Sequence, residues 1–153
     1  MKVGLISDTH GYLDPKVLDY FEGVDHILHG GDVGPYSLIL QLENLAPVTA
    51  VLGNTDTMIP LRETECVQLE NKQILLHHIV DPHHRECPIQ QRIRRERPDI
   101  VVYGHTHKPY AQIIEGILFL NPGYAGKQRF NLPRSIALVE FNENEIRHEF
   151  LQL

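Results

Sequence analysis

The chain has 153 residues, 42% of them hydrophobic and 22% charged, the composition of a folded globular protein of about one domain (1–153) rather than of a disordered chain. Fourteen Lys plus Arg against 20 Asp plus Glu give a formal charge of −6, which argues against strong nucleic-acid binding or a broad grip on an anionic membrane. Two cysteines, Cys66 and Cys87, form no C-x-x-C pair, so neither a disulfide scaffold nor a thiolate zinc site is expected. The first apolar run, residues 3–6, stops at Ser7-Asp8, short of the roughly 7–15 apolar residues of a signal-peptide core. No apolar run reaches the ~18 residues of a membrane span, and the expected location is the cytoplasm. Ten histidines stand against no tryptophan. Imidazole in excess of thiol suits metal ligation by nitrogen and oxygen, and only position separates that from ten surface histidines.

In chain order, a short apolar run at 3–6 precedes Asp14-Pro15, an N-cap followed by proline at the first helical position, and a helix through Val17, Leu18 and Phe21. A second run, Ile27-Leu28, ends in Gly30-Gly31-Asp32, and residues 35–45 read as a helix with Leu38, Leu42 and Leu45 on one stripe. A third run, 48–52, ends in Gly53-Asn54. Strands alternating with helices predict a largely parallel sheet. The second half changes character. Runs 66–69 and 73–76 flank Glu70-Asn71-Lys72, runs 111–114 and 117–120 flank Glu115-Gly116, and runs 135–141 and 145–150 flank Asn142-Glu143-Asn144. These read as three hairpins. A polar, basic helix at 88–97 stops at Pro98, before a buried-type strand at 100–103. Segments 81–87 and 123–133 read as long loops, a frequent place for function.

The informative pattern is where the apolar runs end. They lead to Asp8-Thr9-His10, to Asp32, to Asn54 and Asp56, to His77-His78, and to His105-Thr106-His107. Ligands of open α/β sheets bind outside the carboxyl ends of the strands, so the five ends are expected to meet. Asp8 and His10, like His105 and His107, are two residues apart, which puts both side chains of each pair on one side of an extended segment. Gly31, Gly53 and Gly104 precede these groups and are expected to let the backbone turn tightly or approach an ion. Taken singly, Asp32 reads as readily as a cap, Asn54 as a turn residue and His78 as a core histidine. Asp-x-His alone is a weak signal, since Asp81-Pro82-His83 repeats it. What separate explanations leave out is why all five ends carry such groups.

These motifs resemble the calcineurin-like metallophosphoesterases: Asp8-x-His10, Gly31-Asp32, Gly53-Asn54-x-Asp56, a histidine after a strand, and Gly104-His105-x-His107, in that order. Length and the late Asn121-Pro122-Gly123 are similar to the small phosphodiesterase branch of bacteria and archaea. The resemblance implies a four-layer α/β sandwich of two mixed β-sheets flanked by helices. It implies two divalent metal ions, manganese first, with iron, nickel or zinc as alternatives. Asp8, His10 and His107 would hold one ion, Asn54, His78 and His105 the other, and Asp32 would bridge them. Three departures stand out: Ile79 where the family has Gly, Thr55 where larger members carry a histidine for the leaving group, and Tyr124 where Ser usually follows Asn-Pro-Gly.

The implied chemistry is phosphodiester hydrolysis by a hydroxide bridging the two ions, which attacks phosphorus in line. Two ions, two aspartates and a hydroxide net about +1, so an acidic chain still attracts a small phosphate ester. Asn54 and Asp56 are the catalytic candidates, with Asn54 and Thr55 as substrate contacts; Asp56 either orients a ligand or loop or simply caps a turn. His29 is read as core or ligand support and His26 as surface. His83 and His84, in the 81–87 loop near His78, are read first as solvated and second as lining the substrate mouth; Arg92, Arg94, Arg95 and Arg97 are read first as a solvated face and second as a nucleotide-phosphate contact. The rival functions are hydrolysis of dinucleoside polyphosphates or phosphomonoesters, and a non-catalytic interaction scaffold on the same fold, as in the retromer scaffold subunit. An oligomer through an edge strand or the late hairpins stays open.

Overall fold

The elements are β1 (Lys2–Ile6), α1 (Pro15–Tyr20), β2 (His26–His29), α2 (Ser37–Glu43), β3 (Val48–Ala50), β4 (Thr64–Leu69), β5 (Lys72–His77), α3 (Pro88–Glu96), β6 (Ile100–Val102), β7 (Tyr110–Ile114), β8 (Ile117–Asn121), β9 (Ser135–Phe141) and β10 (Ile146–Gln152). They are taken from a computed structural model that describes residues 1–84, 86–142 and 145–153. They form two five-stranded sheets, ordered β10-β9-β1-β2-β3 and β4-β5-β6-β8-β7. Both sheets are mixed. β1, β2 and β3 run parallel, with β9 antiparallel to β1 and β10 antiparallel to β9. In the second sheet β5, β6 and β8 run parallel, and β4 and β7 pair antiparallel at the two edges.

Strand alternation sorts the side chains into layers. Val3, Leu5 and Leu28 from one sheet meet Ile74, Leu76, Val102 and Leu120 from the other in a central apolar layer. The opposite faces carry Ile6, Ile27 and Ala50 against Val17, Phe21, Leu38 and Leu42 of α1 and α2, and Leu75, Val101 and Phe119 against Ile93 of α3. The result is the expected sandwich of two mixed sheets between helices.

The local signals act where expected. The Asp14 side chain caps α1 by accepting the Lys16 N–H at 3.0 Å, with Pro15 first in the helix. α3 ends at Arg97 in the left-handed region, immediately before Pro98. The three hairpins form, although β10 starts at Ile146 and reaches Gln152; Glu143 and Asn144 of the last turn lie outside the described residues. α2 is shorter than its apolar stripe, beginning at Ser37 rather than Pro35, and Leu45 packs on the α1–α2 layer from beyond its end. Among the described residues no helix is long and apolar enough to cross a membrane.

Candidate metal centre

β1, β2 and β3 of one sheet and β5 and β6 of the other release their chains toward the same end of the sandwich. Donor atoms of Asp8, His10 and His107 all lie within 4.8 Å of one another, and so do those of Asp8, Asp32 and His78. Residues separated by almost a hundred positions therefore converge. His107 Nε2 is 3.2 Å from Asp8 Oδ1. Asp32 Oδ2 is 3.8 Å from His10 Nε2 and 3.4 Å from His78 Nε2. Asn54 Oδ1 lies 3.1 Å from His78 Nε2 and 3.0 Å from His105 Nδ1. Seven candidate ligands thus fall into two adjoining groups, Asp8/His10/His107 and Asn54/His78/His105, with Asp32 between. Asp8 also reaches toward the second group, at 3.9 Å from His78 Nε2.

The backbone that achieves this is not extended. Asp8, His10, Asp32, His105 and His107 all have φ between 47° and 69°, in the left-handed region that L-residues avoid at a cost of roughly 1–3 kcal/mol each. The two-residue spacing works through these turns rather than through strand alternation. His105 and His107 accordingly point into different groups. The loop after β1 is held against the loop after β2 by hydrogen bonds from the N–H groups of Asp8, His10 and Gly11 to the carbonyls of Gly31, Asp32 and Val33.

All three glycines, Gly31, Gly53 and Gly104, make room for ligands rather than for an ion, and a Cβ on Gly31 would lie 2.6 Å from His78 Nδ1. A Cβ on Gly53 would lie 2.0 Å from Asp32 Oδ1, and one on Gly104 would lie 2.0 Å from Ser7 Oγ and 2.6 Å from Asp8 Oδ2. Any side chain at either position displaces a carboxylate.

Surrounding groups fix which atom each ligand offers. His78 Nδ1 lies 2.7 Å from the Gly30 carbonyl. A carbonyl only accepts, so Nδ1 carries the proton and Nε2 faces the carboxylates and Asn54. The Ser7 hydroxyl donates to Asp8 Oδ2 at 2.7 Å and the His105 N–H donates at 3.1 Å, leaving Oδ1 toward the histidines. Burial pushes the Asp8 carboxyl above its usual range, against the Ser7 hydrogen bond and the imidazoles of His78 and His107. Burial acts the same way on Asp32, but hydrogen bonds from the Thr55 N–H and hydroxyl, with His78 and His10, outweigh it and hold that carboxyl below its usual range. Thr55 itself is exposed beside Asn54.

Fully buried His29 is pushed down to about 3, chiefly by burial. Its Nδ1 accepts the Gly31 N–H, so Nε2–H donates to Thr9 Oγ1 at 3.0 Å, and the Thr9 hydroxyl donates to Val33 O at 2.9 Å. This neutral chain braces the Asp8 and Asp32 loops. His26, read from sequence as surface, is instead half-buried and bonded to Thr49 Oγ1 at 2.9 Å, and burial lowers its pKa.

Asp56 does not face the ligands. Its carboxylate accepts the backbone N–H groups of Val33, Gly34 and Gly53 at 2.8–3.1 Å and ties the Asp32 and Asn54 loops together. The geometry gives it the loop-orienting role of the two that the sequence left open. His83 and His84 are both exposed, and His83 Nε2 lies 3.4 Å from the Tyr110 hydroxyl. Arg92 and Arg95 pair with Glu96 on a solvated helix face.

Sequence reasoning missed several supports. Asn121 ends β8, which runs parallel to β6, and is a sixth strand end. Its amide donates to Gly104 O at 2.8 Å and to Thr106 Oγ1 at 3.1 Å, and its oxygen accepts the Gly123 N–H, which shapes the His105–His107 turn. The run 117–120 ending in Asn-Pro-Gly was the available signal. Tyr124 is wholly buried, its ring 4.8 Å from that of His107 and 6.1 Å from that of His10. Its hydroxyl donates to Lys127 O. The Tyr124 loop is in turn tied to α1 by Arg134, which donates to Gly126 O at 2.6 Å and to Asp14 Oδ2 at 2.8 Å, a buried pair 120 residues apart in sequence.

The donor set fits divalent metal. His10 Nε2 is buried with no hydrogen-bond partner, an arrangement that costs free energy unless the lone pair is used. At Asn54, two imidazole nitrogens crowd one amide oxygen, as they would around a cation. Carboxylate, amide and imidazole without thiolate suit manganese, iron, nickel or zinc.

The chain is 32% identical over 99% of its length to a probable metallophosphoesterase of Methanothermobacter thermautotrophicus, of which 92% is covered. It is 26% identical over 99% of its length to a phosphodiesterase of Methanocaldococcus jannaschii, which is wholly covered. Among solved structures, an archaeal phosphodiesterase superimposes with a TM-score of 0.79 at 26% identity, over 99% of this chain and 100% of the other. Wild-type Vps29 of Entamoeba histolytica complexed with Zn2+ superimposes with a TM-score of 0.78 at 27% identity, over 99% of each chain. Residues 1–144 match the calcineurin-like phosphoesterase superfamily domain, and the ordered motifs, the two-sheet sandwich and the converging donors agree with that match: the chain belongs to the calcineurin-like phosphoesterase superfamily.

Proposed function

We propose that the protein is a metal-dependent phosphodiesterase with a two-ion centre. Asp8, His10 and His107 would hold one ion, Asn54, His78 and His105 the other, and Asp32 would serve both. When bound, two divalent ions supply a hydroxide nucleophile near neutral pH and a charge clamp for the oxygens of an in-line displacement. The protein's own part is preorganisation. Gly30 O holds His78 in the tautomer that offers Nε2, and Ser7 and the His105 N–H orient Asp8. Asp56 keeps the Asp32 and Asn54 loops in register. Exposed Asn54 and Thr55 stand at the solvent side, where an incoming phosphoryl oxygen would accept the Asn54 amide. The observation that carries the reading is the unpartnered, buried His10 Nε2 within the first donor group.

The test is hydrolysis of bis(p-nitrophenyl) phosphate with Mn2+, comparing wild type with Asp32→Ala and His107→Ala. Metal-dependent turnover lost in both variants supports the proposal. No metal-dependent turnover, or equal turnover in all three proteins, overturns it. That result would favour the second reading, a non-catalytic interaction scaffold on the same fold, on whose side stands a fold match to Vps29 as close as that to the phosphodiesterase.

A further inference from the structure

A cleft of about 400 Å3 opens directly from Asn54 and His78 of the second donor group, lined further by Leu52, Asp56, Glu63, His77 and Ile79, with the Asp56 carboxylate already taken by three backbone N–H groups. Its wall is apolar at Leu52 and at Ile79, which is 47% exposed at the exit from β5. The polar groups divide into those already engaged and one that is not. His77 Nδ1 is bonded to Thr64 Oγ1 at 2.8 Å and its ring also bonds the Glu63 backbone, so it serves as wall. The Glu63 carboxylate is exposed, and the neighbouring cation Arg62 lies 3.7 Å from Glu65 instead. No Lys or Arg among the described residues forms an ion pair with Glu63, whose carboxylate instead faces the His77 imidazole. The cleft thus offers apolar surface, a carboxylate that no Lys or Arg among the described residues pairs with, and hydrogen-bond acceptors, and it does so next to the place where the phosphodiester would react.

We propose that this cleft is the subsite for one ester group of the diester, and that it selects either an uncharged group bearing N–H or O–H donors or a cationic group, while rejecting a second phosphate. The inference rests on the phosphodiesterase reading and narrows it. A nucleoside group packs on Leu52 and Ile79 and donates an N–H or O–H hydrogen bond to Glu63; an amino-alcohol group packs there with its cationic nitrogen beside the same carboxylate. The second phosphoryl group of a dinucleoside polyphosphate would face the same carboxylate with like charge, at a separation shorter than the ~8 Å over which physiological salt screens. Charge selects here by repelling the wrong partner as much as by holding the right one.

The experiment compares three chromogenic diesters with the Mn2+-loaded protein: thymidine 5′-(p-nitrophenyl) phosphate, p-nitrophenyl phosphorylcholine and bis(p-nitrophenyl) phosphate. Each is measured on wild type, Glu63→Gln and Glu63→Lys. The expected result is that kcat/KM for the thymidine or the choline ester, relative to the bis-aryl ester, falls about tenfold in Glu63→Lys, as for a reversed charge beside a bound group. The larger loss in Glu63→Gln falls on the choline ester if the group is an amino alcohol, and on the thymidine ester if it is a nucleoside. Ratios unchanged within twofold across the three proteins overturn the proposal. A wild type inert toward all three esters would sink the phosphodiesterase reading instead. The cleft is then read alone, by titrating the metal-free protein with thymidine and with choline and following the His77 ring signals by NMR. Shifts lost in Glu63→Lys support the subsite, and their absence in wild type overturns it.

Discussion

The two donor groups are built from different materials. The first, Asp8, His10 and His107, contains a fully buried carboxylate, and Tyr124 stands behind both of its imidazoles. The second, Asn54, His78 and His105, has three neutral donors, and Asn54 and His105 are exposed. Formal charge and a locked, water-poor wall both favour tight binding of a cation, whereas neutral, solvated donors bind more weakly and leave room for a ligand. The comparison teaches a division of labour for the proposed centre: the first group would hold its ion, and the second, which faces the cleft, would meet the incoming ester.

The largest effect is expected where the groups share a residue. Asp32→Ala removes a carboxylate from between them and should lower kcat/KM by about a thousandfold, equivalent to several kcal/mol of lost charge stabilisation. Steady-state kinetics at saturating Mn2+ checks this, and a loss under tenfold would mean that Asp32 does not serve both groups.

Next comes the support behind the first group alone. Asp14→Asn keeps an acceptor at the α1 cap but leaves Arg134 buried without its counter-charge, at about 3 kcal/mol of stability. Denaturant unfolding measures it. Burial raises the Asp14 carboxyl, yet the Lys16 N–H and Arg134 outweigh this and hold it below its ordinary value. A depressed folded pKa gives stability that is complete above the unfolded value of about 3.9 and is lost as pH falls below it. The wild-type advantage over Asp14→Asn should therefore be constant from pH 7 to about 5 and shrink below about 4. An advantage that grows on acidification would contradict the pairing.

A smaller effect separates the groups directly. His107→Ala should weaken the tighter ion and His105→Ala only the weaker one, each by about 10–100-fold in metal affinity. The smallest is Asn121→Ala, which leaves every donor in place but frees the turn that carries His105 and His107. It should lower affinity at both groups by about tenfold, read in the same metal titration.

Much of this was legible in the sequence. Five apolar runs ended in metal-competent groups because parallel strands of both sheets deliver their carboxyl ends to one edge, and a run of two to five residues is long enough to show it. The N-cap at Asp14-Pro15 and the three hairpins were equally plain, since their signals are local. What stayed hidden depends on contacts across the chain. Nothing near Gly53 says that its missing Cβ is the space of Asp32 Oδ1, and nothing near Asp14 says that Arg134 will meet it. The left-handed backbone at five of the donors was equally invisible. Such φ values are rare for Asp and His, and only the hydrogen bonds between the β1 and β2 loops, with those around the His105–His107 turn, hold them there. Tyr124 was visible only as a departure from a pattern, and its place behind His107 required the fold.

The most direct test of the two unequal donor groups is calorimetric titration of the metal-free protein with Mn2+. The account predicts two ions per chain in two affinity classes, the tighter weakened in His107→Ala and the weaker weakened in His105→Ala. A single ion per chain, or the same class weakened in both variants, would contradict it.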